Sequence, residues 1–374
     1  MIYFDNAATS RYKPHCVKKA LSYSLKHSAN PGRASHDESI RAAMTVERTR
    51  NALTNYLDAR RANLIFTKNC TEALNLAILG TAMPGIHIIT TALEHNSVLR
   101  PLHMLKKEGL ITLSIAEGDH GKVTADDIAV LITEKTYLVA ITAMSNVTGY
   151  VPPLEKIGEL CAQKGIKLLV DGAQAIGHIP LSFDKIGIDL LCGAGHKSLH
   201  GIMGSGFLLY SKRMHVHPLL YGGTGTESAN LYQPNEPPES LEAGTPALPA
   251  IAALEAGIMW TKAHEEKLAQ RCRKISLYLH EELLNIGIAP YSIPGSPILS
   301  FEVTNTDSQT FADMLNQEYG ICVRAGLHCA PLIHHALGTE KRGLIRASIG
   351  WINSMRDAEK LLYAIKQLRK RLTT

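Results

Sequence analysis

Segments 168–174 (LLVDGAQ) and 190–197 (LLCGAGHK) decide the fold of this chain. Each is a short apolar run that ends in a polar group and glycine, a pattern that predicts a strand buried on both faces of a parallel sheet. Ligands bind beyond the carboxyl ends of such strands. We therefore expect Asp171 and Lys197 to face one crevice, where they supply a carboxylate and an amine.

A lysine and an acid in one crevice suit pyridoxal phosphate (PLP). This cofactor needs a lysine for its Schiff base and an acid beside its pyridinium nitrogen, which makes the ring an electron sink. The alternative is that Asp171 caps a helix and Lys197 is a solvated loop residue. The presence of both residues at the ends of apolar runs, in this order, favours the cofactor.

The composition is that of an ordinary globular protein. The chain has 374 residues, of which 45% are hydrophobic and 20% charged, enough for a large core. The net charge of +5 is small for this length and the basic residues are scattered, so we expect no nucleic-acid partner. No apolar run is long enough to span a membrane, and we expect no membrane partner.

The cysteines and the N-terminus indicate a cytoplasmic protein. The seven cysteines are odd in number, contain no CxxC pair and fit no zinc-binding pattern, so we expect neither a disulfide framework nor a metal site. A reducing compartment follows from this usage. The N-terminus also lacks the basic and apolar regions of a signal peptide.

The order of elements predicts an α/β fold with two domains. Strands and helices alternate from residue 63 to residue 210, which predicts a mostly parallel sheet with helices on both faces. The last strand, 206–210, is expected to run antiparallel behind the Lys197 loop. A Gly- and Pro-rich stretch at 221–249 then interrupts the pattern, and a stretch of this kind is usually functional. We expect a large domain at 13–250 and a smaller α+β domain at 251–374 that includes the N-terminal arm, 1–12.

Several motifs together resemble one family. They are DNAAT at 5–9, DGAQ at 171–174, GHK at 195–197 and RAGLHCA at 324–330. With them the chain resembles, essentially end to end, the class V aminotransferase-like PLP enzymes of fold type I. The resemblance is to the cysteine desulfurase and selenocysteine lyase branch, in its short-loop group. It implies a homodimer that uses PLP.

The resemblance implies roles around the cofactor ring. Lys197 would hold PLP covalently, and Asp171 would pair with the pyridine nitrogen. Gln174 would contact the phenolic oxygen. His95 would stack on the ring and take part in catalysis, since a histidine carries protons near neutral pH. Asn146 would contact the ring or its substituents, including bound substrate.

The resemblance also implies roles around the phosphate and the substrate. Thr71 and His196 would bind the phosphate, and a helix N-terminus after a strand, as at Thr71, suits an anion. Thr245 would reach the phosphate of the partner subunit. The planar guanidinium of Arg346 would bind the substrate carboxylate. Cys329 would be the nucleophile that takes the sulfur as a persulfide.

Cationic neighbours would make the Cys329 thiol reactive, and Arg324 and His328 are the candidates. Two positions depart from the family pattern. Ala194 stands where many relatives have a phosphate-binding serine, a contact that is lost or is replaced by Thr226 or Ser198. Leu327 stands where the sulfur-delivery members often have a second histidine. The loop at 222–226 also differs from the pattern expected of those members.

The implied reaction converts L-cysteine to L-alanine and passes the sulfur to a protein or small-thiol acceptor. Selenocysteine lyase or another class V PLP lyase or aminotransferase is the alternative, because cysteine and selenocysteine differ by one atom. A non-catalytic interaction protein on this scaffold is disfavoured, because Lys197, Asp171 and Cys329 are all present.

Overall fold

A twisted sheet of seven strands forms the centre of the molecule. The computed structural model describes residues 1–32 and 34–373. The sheet has the order β2-β8-β7-β6-β5-β3-β4, and only β8 runs against the other strands. Its strands are β2 (Ala62–Thr67), β3 (Ile86–Thr91), β4 (Ile111–Ala116), β5 (Thr136–Thr142), β6 (Lys167–Asp171), β7 (Leu190–Ala194) and β8 (Gly206–Ser211).

The two segments that decide the fold lie side by side in this sheet. β6 and β7 are parallel neighbours near its centre, and Leu169 pairs with Leu190. Every residue of β7 is buried, as expected for a strand covered on both faces. β8 pairs with β7 in the antiparallel direction, which confirms the sequence prediction for residues 206–210.

Helices cover both faces of the sheet. One apolar cluster includes Leu53, Ile157 and Val170, and a second on the other face includes Leu74, Leu102 and Leu169. The mixed α/β prediction is therefore confirmed. The helices before the C-terminal region are α1 (His15–Lys26), α2 (Asp37–Tyr56), α3 (Cys70–Leu79), α4 (Asn96–Lys107), α5 (Ala125–Ala129), α6 (Leu154–Lys164) and α7 (Phe183–Ile186).

A long helix, α8 (Leu248–Asn285), connects the large sheet to a smaller α+β region. Leu254 packs in the core of the large sheet, whereas Leu279 packs in a separate apolar cluster with Phe301 and Leu361. The proposed boundary at residue 250 stays a prediction. The remaining elements are β9 (Ile298–Phe301), α9 (Ser308–Tyr319), β10 (Ile321–Cys322), β11 (Arg324–Gly326), α10 (Pro331–Leu337), β12 (Leu344–Ser348) and α11 (Met355–Thr373).

The N-terminal arm pairs with strands of the smaller region. β1 (Ile2–Tyr3) pairs in parallel with β10, and Asp5 forms a bridge with Ser348. β9, β11 and β12 form a separate antiparallel sheet in the order β11-β12-β9. The arm therefore brings its polar residues close to β12, the strand that contains Arg346.

Two local features complete the comparison with the sequence. α5 has only five residues, since the chain turns at Val130 and the backbone N–H of Thr133 donates to Thr136 Oγ1. Residues 212–247 form neither helix nor strand, and the Gly- and Pro-rich stretch predicted at 221–249 lies within this segment except for its last two residues, which begin α8. Within the described part of the chain, no helix has both the length and the apolar character to cross a membrane.

Candidate active site

The carboxyl ends of the parallel strands bring most of the candidate residues to one edge of the sheet. Asp171 is the last residue of β6, and Lys197 follows β7 by a short turn. The segments that follow the other strands carry three more candidates at the same edge: Thr71 after β2, His95 after β3 and Asn146 after β5. This is the position at which ligands bind to open α/β sheets.

Asp171 is buried, and the chain holds one of its two carboxylate oxygens. The backbone N–H of Ala173 donates to Oδ1 at 2.9 Å, and the thiol of Cys70 lies 3.7 Å from the same atom. Among the described residues, no donor contacts Oδ2. One oxygen therefore fixes the orientation of the carboxylate, and the other is available to a ligand.

The amine of Lys197 is shifted towards its neutral form. Burial lowers the pKa of Lys197, and the nearby charges of Arg346 and Arg324 lower it further, while Asp171 opposes them. A neutral amine is the nucleophilic form of lysine, the form that attacks a carbonyl group.

His95 lies at the N-terminus of α4 and is neutral. Its Nδ1 accepts a hydrogen bond from the backbone N–H of Ser97 at 3.1 Å, so the ring proton is on Nε2. Burial lowers the pKa of His95, while Asp171 raises it. Ser97 Oγ in turn contacts His95 Nδ1 at 2.9 Å and Thr71 Oγ1 at 2.8 Å. Ser97 thus joins the two helix N-termini that carry His95 and Thr71.

His196 offers a buried nitrogen that lacks a partner. Burial, together with the positive charges of Lys197 and Lys13, lowers the pKa of His196 to about 4. Its Nδ1 is buried with no hydrogen-bond partner in the described chain. Its backbone carbonyl accepts from Ser10 Oγ and Lys13 Nζ, each at 3.1 Å. The turn before Lys197 is therefore fixed, and the free nitrogen suits an anionic ligand.

Gln174 lies one turn beyond Asp171 and contacts the N-terminal arm. Its side chain is buried and its Nε2 donates to the carbonyl of Ala7 at 3.0 Å. An amide nitrogen has two hydrogens, so one N–H of Gln174 remains for a ligand.

Cys329 lies on a tightly held turn after β11. His328 and Cys329 both have positive φ, at 50° and 58°, a conformation that non-glycine residues rarely adopt. Two hydrogen bonds hold the turn against the large sheet: Asn96 N donates to Cys329 O at 2.6 Å, and Asn146 Nδ2 donates to His328 O at 2.7 Å. The cysteine as a whole is half-buried rather than fully enclosed.

Of the two cations proposed to activate Cys329, only Arg324 fits. Its Nη2 lies 3.8 Å from the Cys329 sulfur. His328 instead contacts the carbonyl of Leu344 at 3.1 Å, and burial lowers the pKa of His328 well below its ordinary value. His328 is therefore neutral and supplies no positive charge to the thiol.

Arg346 is the largest side chain that is fully buried, at 1% exposure. Its Nη1 donates to the carbonyl of Asn146 at 3.0 Å, and its Nη2 donates to Asp5 Oδ1 at 3.1 Å. Its Nε is buried without a partner in the described residues. Two of the five N–H donors are used in these contacts, so the guanidinium has a fixed orientation, and its unpartnered Nε–H is among the donors that remain for a ligand.

The remaining residues that the sequence proposed for the phosphate site have fewer contacts with the candidate active site. Thr245 is exposed, and no hydrogen bond within the described chain joins it to the site. Ala194 is buried at the end of β7. Of its suggested replacements, Ser198 is buried beside Lys197, whereas Thr226 is exposed and contacts Thr224. The role of Thr245 stays a prediction.

Sequence reasoning missed three residues that shape the site: Cys70, Ser97 and Lys13. Cys70 precedes Thr71 and Ser97 follows His95, so their proximity to candidates was visible in the sequence. The direction of their side chains depends on how β2, β3 and β6 assemble, which local sequence does not encode.

Comparisons with known proteins agree with this geometry. A family model described as aminotransferase class-V matches residues 2–361. The chain is 33% identical to a probable cysteine desulfurase of Pyrococcus abyssi, in an alignment that covers 100% of this chain and 95% of the relative. A second probable cysteine desulfurase, from Synechocystis, is 31% identical over 98% of this chain and 90% of the relative.

Solved structures give the same result. The apo structure of a cysteine desulfurase from Thermococcus onnurineus is 32% identical, with a TM-score of 0.93 over 99% of this chain and 95% of that chain. The cysteine desulfurase CsdA of Escherichia coli, in an S-sulfonic acid form, is 27% identical, with a TM-score of 0.87 over 99% of this chain and 94% of that chain.

Proposed function

We propose, from the premise that this chain belongs to the class-V aminotransferase family, that it is a cysteine desulfurase. In this reaction L-cysteine is converted to L-alanine, and we assign Cys329 as the residue that receives the sulfur. The observation that carries the proposal is the contact of Arg324 with the Cys329 sulfur, at the edge of the sheet where Lys197 and Asp171 lie.

The residues at this edge fit PLP, the cofactor of the family. Three features support the fit: an amine shifted towards its neutral form at Lys197, a free carboxylate oxygen on Asp171 and an unpartnered buried nitrogen on His196. These groups would satisfy, in turn, the aldehyde, the pyridine nitrogen and the phosphate. When bound, PLP supplies an electron sink for the bonds at the substrate α-carbon.

Further residues would complete the cofactor site. Thr71, at the first turn of α3, would add a hydroxyl and a helix N-terminus to the phosphate site. Gln174 would donate its remaining N–H to the phenolic oxygen. His95, neutral and held by Ser97, would lie against the ring face. We assign Thr245 to the phosphate site of a partner subunit.

Arg346 and Asn146 would orient the substrate. The buried guanidinium would bind the carboxylate of L-cysteine, because its Nε lacks a partner and its other nitrogens are fixed by Asn146 and Asp5. A charge-assisted hydrogen bond in a site that excludes water is strong and directional. The substrate sulfur would then face the turn that carries Cys329.

Lys197 and Cys329 would perform the chemical steps that belong to the protein. Lys197 would hold the cofactor aldehyde and, as a free amine, would move protons between the α- and β-carbons of the substrate. The Cys329 thiolate would attack the substrate sulfur, so that an S–S bond forms and the C–S bond breaks. Lys197 would protonate the β-carbon, which yields L-alanine and a persulfide on Cys329. Arg324 would stabilise the thiolate before the attack.

Mass spectrometry after addition of L-cysteine alone tests this assignment. We expect one added sulfur on the peptide that contains Cys329 and L-alanine in solution. Cys329→Ser should retain PLP binding but lose most alanine formation from L-cysteine. Cys322→Ser is the matched control, because Cys322 is also half-buried but bonds Asn316 away from the site.

Two outcomes would contradict the proposal at different levels. Sulfur found only on other cysteines, or full activity in Cys329→Ser, would remove the persulfide assignment and leave the cofactor site intact. A purified protein without the absorbance of lysine-bound PLP, or unchanged absorbance in Lys197→Ala, would refute the assignment of PLP as the cofactor held by Lys197. Selenocysteine as a parallel substrate tests the selenocysteine lyase alternative, since cleavage of its C–Se bond would depend less on the Cys329 thiol.

The sulfur acceptor would be a second protein or a small thiol that reaches the half-buried Cys329. We also expect the protein to act in the cytoplasm as a homodimer. All seven cysteines are free in the structure, which suits a reducing compartment.

A further inference from the structure

Cys70 lies in the candidate site but has no part in the reaction proposed above. It is the first residue of α3 and is buried behind Asp171. Its sulfur lies 3.7 Å from Asp171 Oδ1, within the range of a thiol hydrogen bond, and the backbone N–H of Ala173 donates to the same oxygen. The residue is therefore in direct contact with the acid assigned to the pyridine nitrogen.

The thiol is the donor in this contact. Burial raises the pKa of Cys70 well above its ordinary value, and the charge of Asp171 raises it further, so the sulfur keeps its proton at neutral pH. A neutral thiol beside a carboxylate donates its S–H, which is a weak donor in general but gains strength from a charged acceptor. The adjacent helix cap is formed by Asn69, which accepts from Glu72 N, so the thiol is not needed for capping.

We propose that Cys70 is a positioning residue for Asp171: its S–H holds Oδ1, so that Oδ2 is presented to the pyridine nitrogen and the proton of the ion pair stays on the ring. This inference rests on the proposed function for its ligand. A carboxylate that accepts two donors at one oxygen is less basic than one that accepts none. The second donor therefore opposes transfer of the ring proton to Asp171, a transfer that a dry site otherwise favours.

Cys192 provides a matched comparison. It pairs with Asp171 in the register of β6 and β7, is fully buried, and its thiol pKa is also raised by burial and by Asp171. Among the described contacts, however, no hydrogen bond joins its sulfur to Asp171. Cys70 and Cys192 thus differ in the hydrogen bond and share burial, charge and residue type.

Infrared spectroscopy of the purified protein tests the hydrogen bond independently of activity. The S–H stretching band of Cys70, found by subtracting the spectrum of Cys70→Ala, should lie at lower wavenumber than that of Cys192, found by subtracting Cys192→Ala. Asp171→Asn should move the Cys70 band to higher wavenumber, because the amide is a weaker acceptor than the carboxylate. Equal bands in the parent, or no response to Asp171→Asn, would overturn the inference.

The protonation state of the pyridine nitrogen tests the effect that this hydrogen bond would have on the cofactor. With PLP labelled with nitrogen-15 in the ring, the Cys70→Ala protein should show a pyridine resonance displaced towards the deprotonated position. Cys70→Ser, which keeps a donor, should restore it, and Cys192→Ala should leave it unchanged. We expect kcat to fall about threefold to tenfold in Cys70→Ala, the effect of one hydrogen bond, and to recover in Cys70→Ser.

The two levels of failure are distinguishable. A protein that does not bind PLP would remove the proposed function, although the infrared result for the thiol would stand. A protein that binds PLP and turns over L-cysteine, yet shows the same nitrogen-15 resonance in the parent and in Cys70→Ala, would remove only the role of Cys70. Cys70→Ser also separates a lost hydrogen bond from a folding defect, because it fills nearly the same volume.

Discussion

Arg346 shows what a buried charge requires at the scale of a single residue. Its guanidinium is almost fully removed from water, and burial lowers its pKa, while Asp5 opposes that shift. Lysine at this position would keep the charge but lose the planar fork that contacts Asn146, Asp5 and a ligand together. The identity of the residue matters more than its charge.

We therefore expect Arg346→Lys to raise KM for L-cysteine about tenfold to a hundredfold, the range for one charge-assisted hydrogen bond. The effect on kcat should be smaller, because the lost contact orients the substrate in every bound state. Steady-state kinetics measures both constants. Arg342→Lys, an exposed arginine paired with Glu302, is the control and should be unchanged. A pure loss of kcat would refute the assignment to the carboxylate.

Glu94 is a second buried ionisable residue, and its titration should make folding stability depend on pH. Burial raises the pKa of Glu94 to about 8, although Thr91 and Thr142 donate to its Oε1. The unfolded chain releases this proton near pH 4.5, whereas the folded chain keeps it. The contribution of Glu94 to the free energy of unfolding is therefore fully present below about pH 4.5 and is lost as the pH rises to about 8.

Glu94→Gln removes this titration and keeps the shape of the side chain. The free energy of unfolding of the variant, relative to the parent, should increase between about pH 4.5 and pH 8 and stay level above that range. Urea unfolding at several pH values measures the difference. Glu134→Gln, at an exposed position, is the control variant. A difference that does not vary with pH for Glu94→Gln would contradict the raised pKa of Glu94.

At the scale of elements, β11 and β12 place two arginines opposite each other. Arg324 pairs with Arg346 in the antiparallel register, an arrangement in which like charges repel. Each has an anionic or polarisable neighbour: Asp5 for Arg346 and the Cys329 sulfur for Arg324. The pair therefore concentrates positive charge where the substrate carboxylate and a thiolate would lie.

Arg324→Gln should slow alkylation of Cys329 by iodoacetamide at neutral pH several-fold, because the cation that attracts the thiolate is lost. The exposed Cys16 of the same molecule is an internal control, and its alkylation rate should not change. Peptide mass spectrometry at timed intervals measures both rates. An unchanged rate at Cys329 would show that Arg324 does not influence the thiol.

The elements also show how much the sequence could predict. The strands and the residues that follow them were predictable, because buried parallel strands are short apolar runs and their carboxyl ends share an edge. The contacts of Cys70 with Asp171 and of Asp5 with Arg346 were not, since they join distant segments whose approach depends on packing. The neutral state of His328 also depends on burial, which its position beside Cys329 does not reveal.

At the scale of the whole molecule, the site is shared between both sheets and the arm. The large sheet carries Lys197 and Asp171, the small sheet carries Arg346, and the arm carries Asp5. Residues 212–247 lie outside this assembly and expose large apolar side chains, with Leu231 98% exposed and Tyr232 83% exposed. We expect these side chains to form an interaction surface.

We expect that surface to lie in a homodimer in which Thr245 of each chain completes the site of the other. A heterodimer of Thr245→Ala and Lys197→Ala chains decides the question, prepared by co-expression with two different affinity tags. If Thr245 acts across the interface, one site has both lesions and the other has none, so activity is about half that of the parent dimer. If Thr245 acts within its own chain, no site is intact, and activity is at most half that of the Thr245→Ala homodimer. An active monomer in sedimentation would rule out a site completed by Thr245 of the partner subunit.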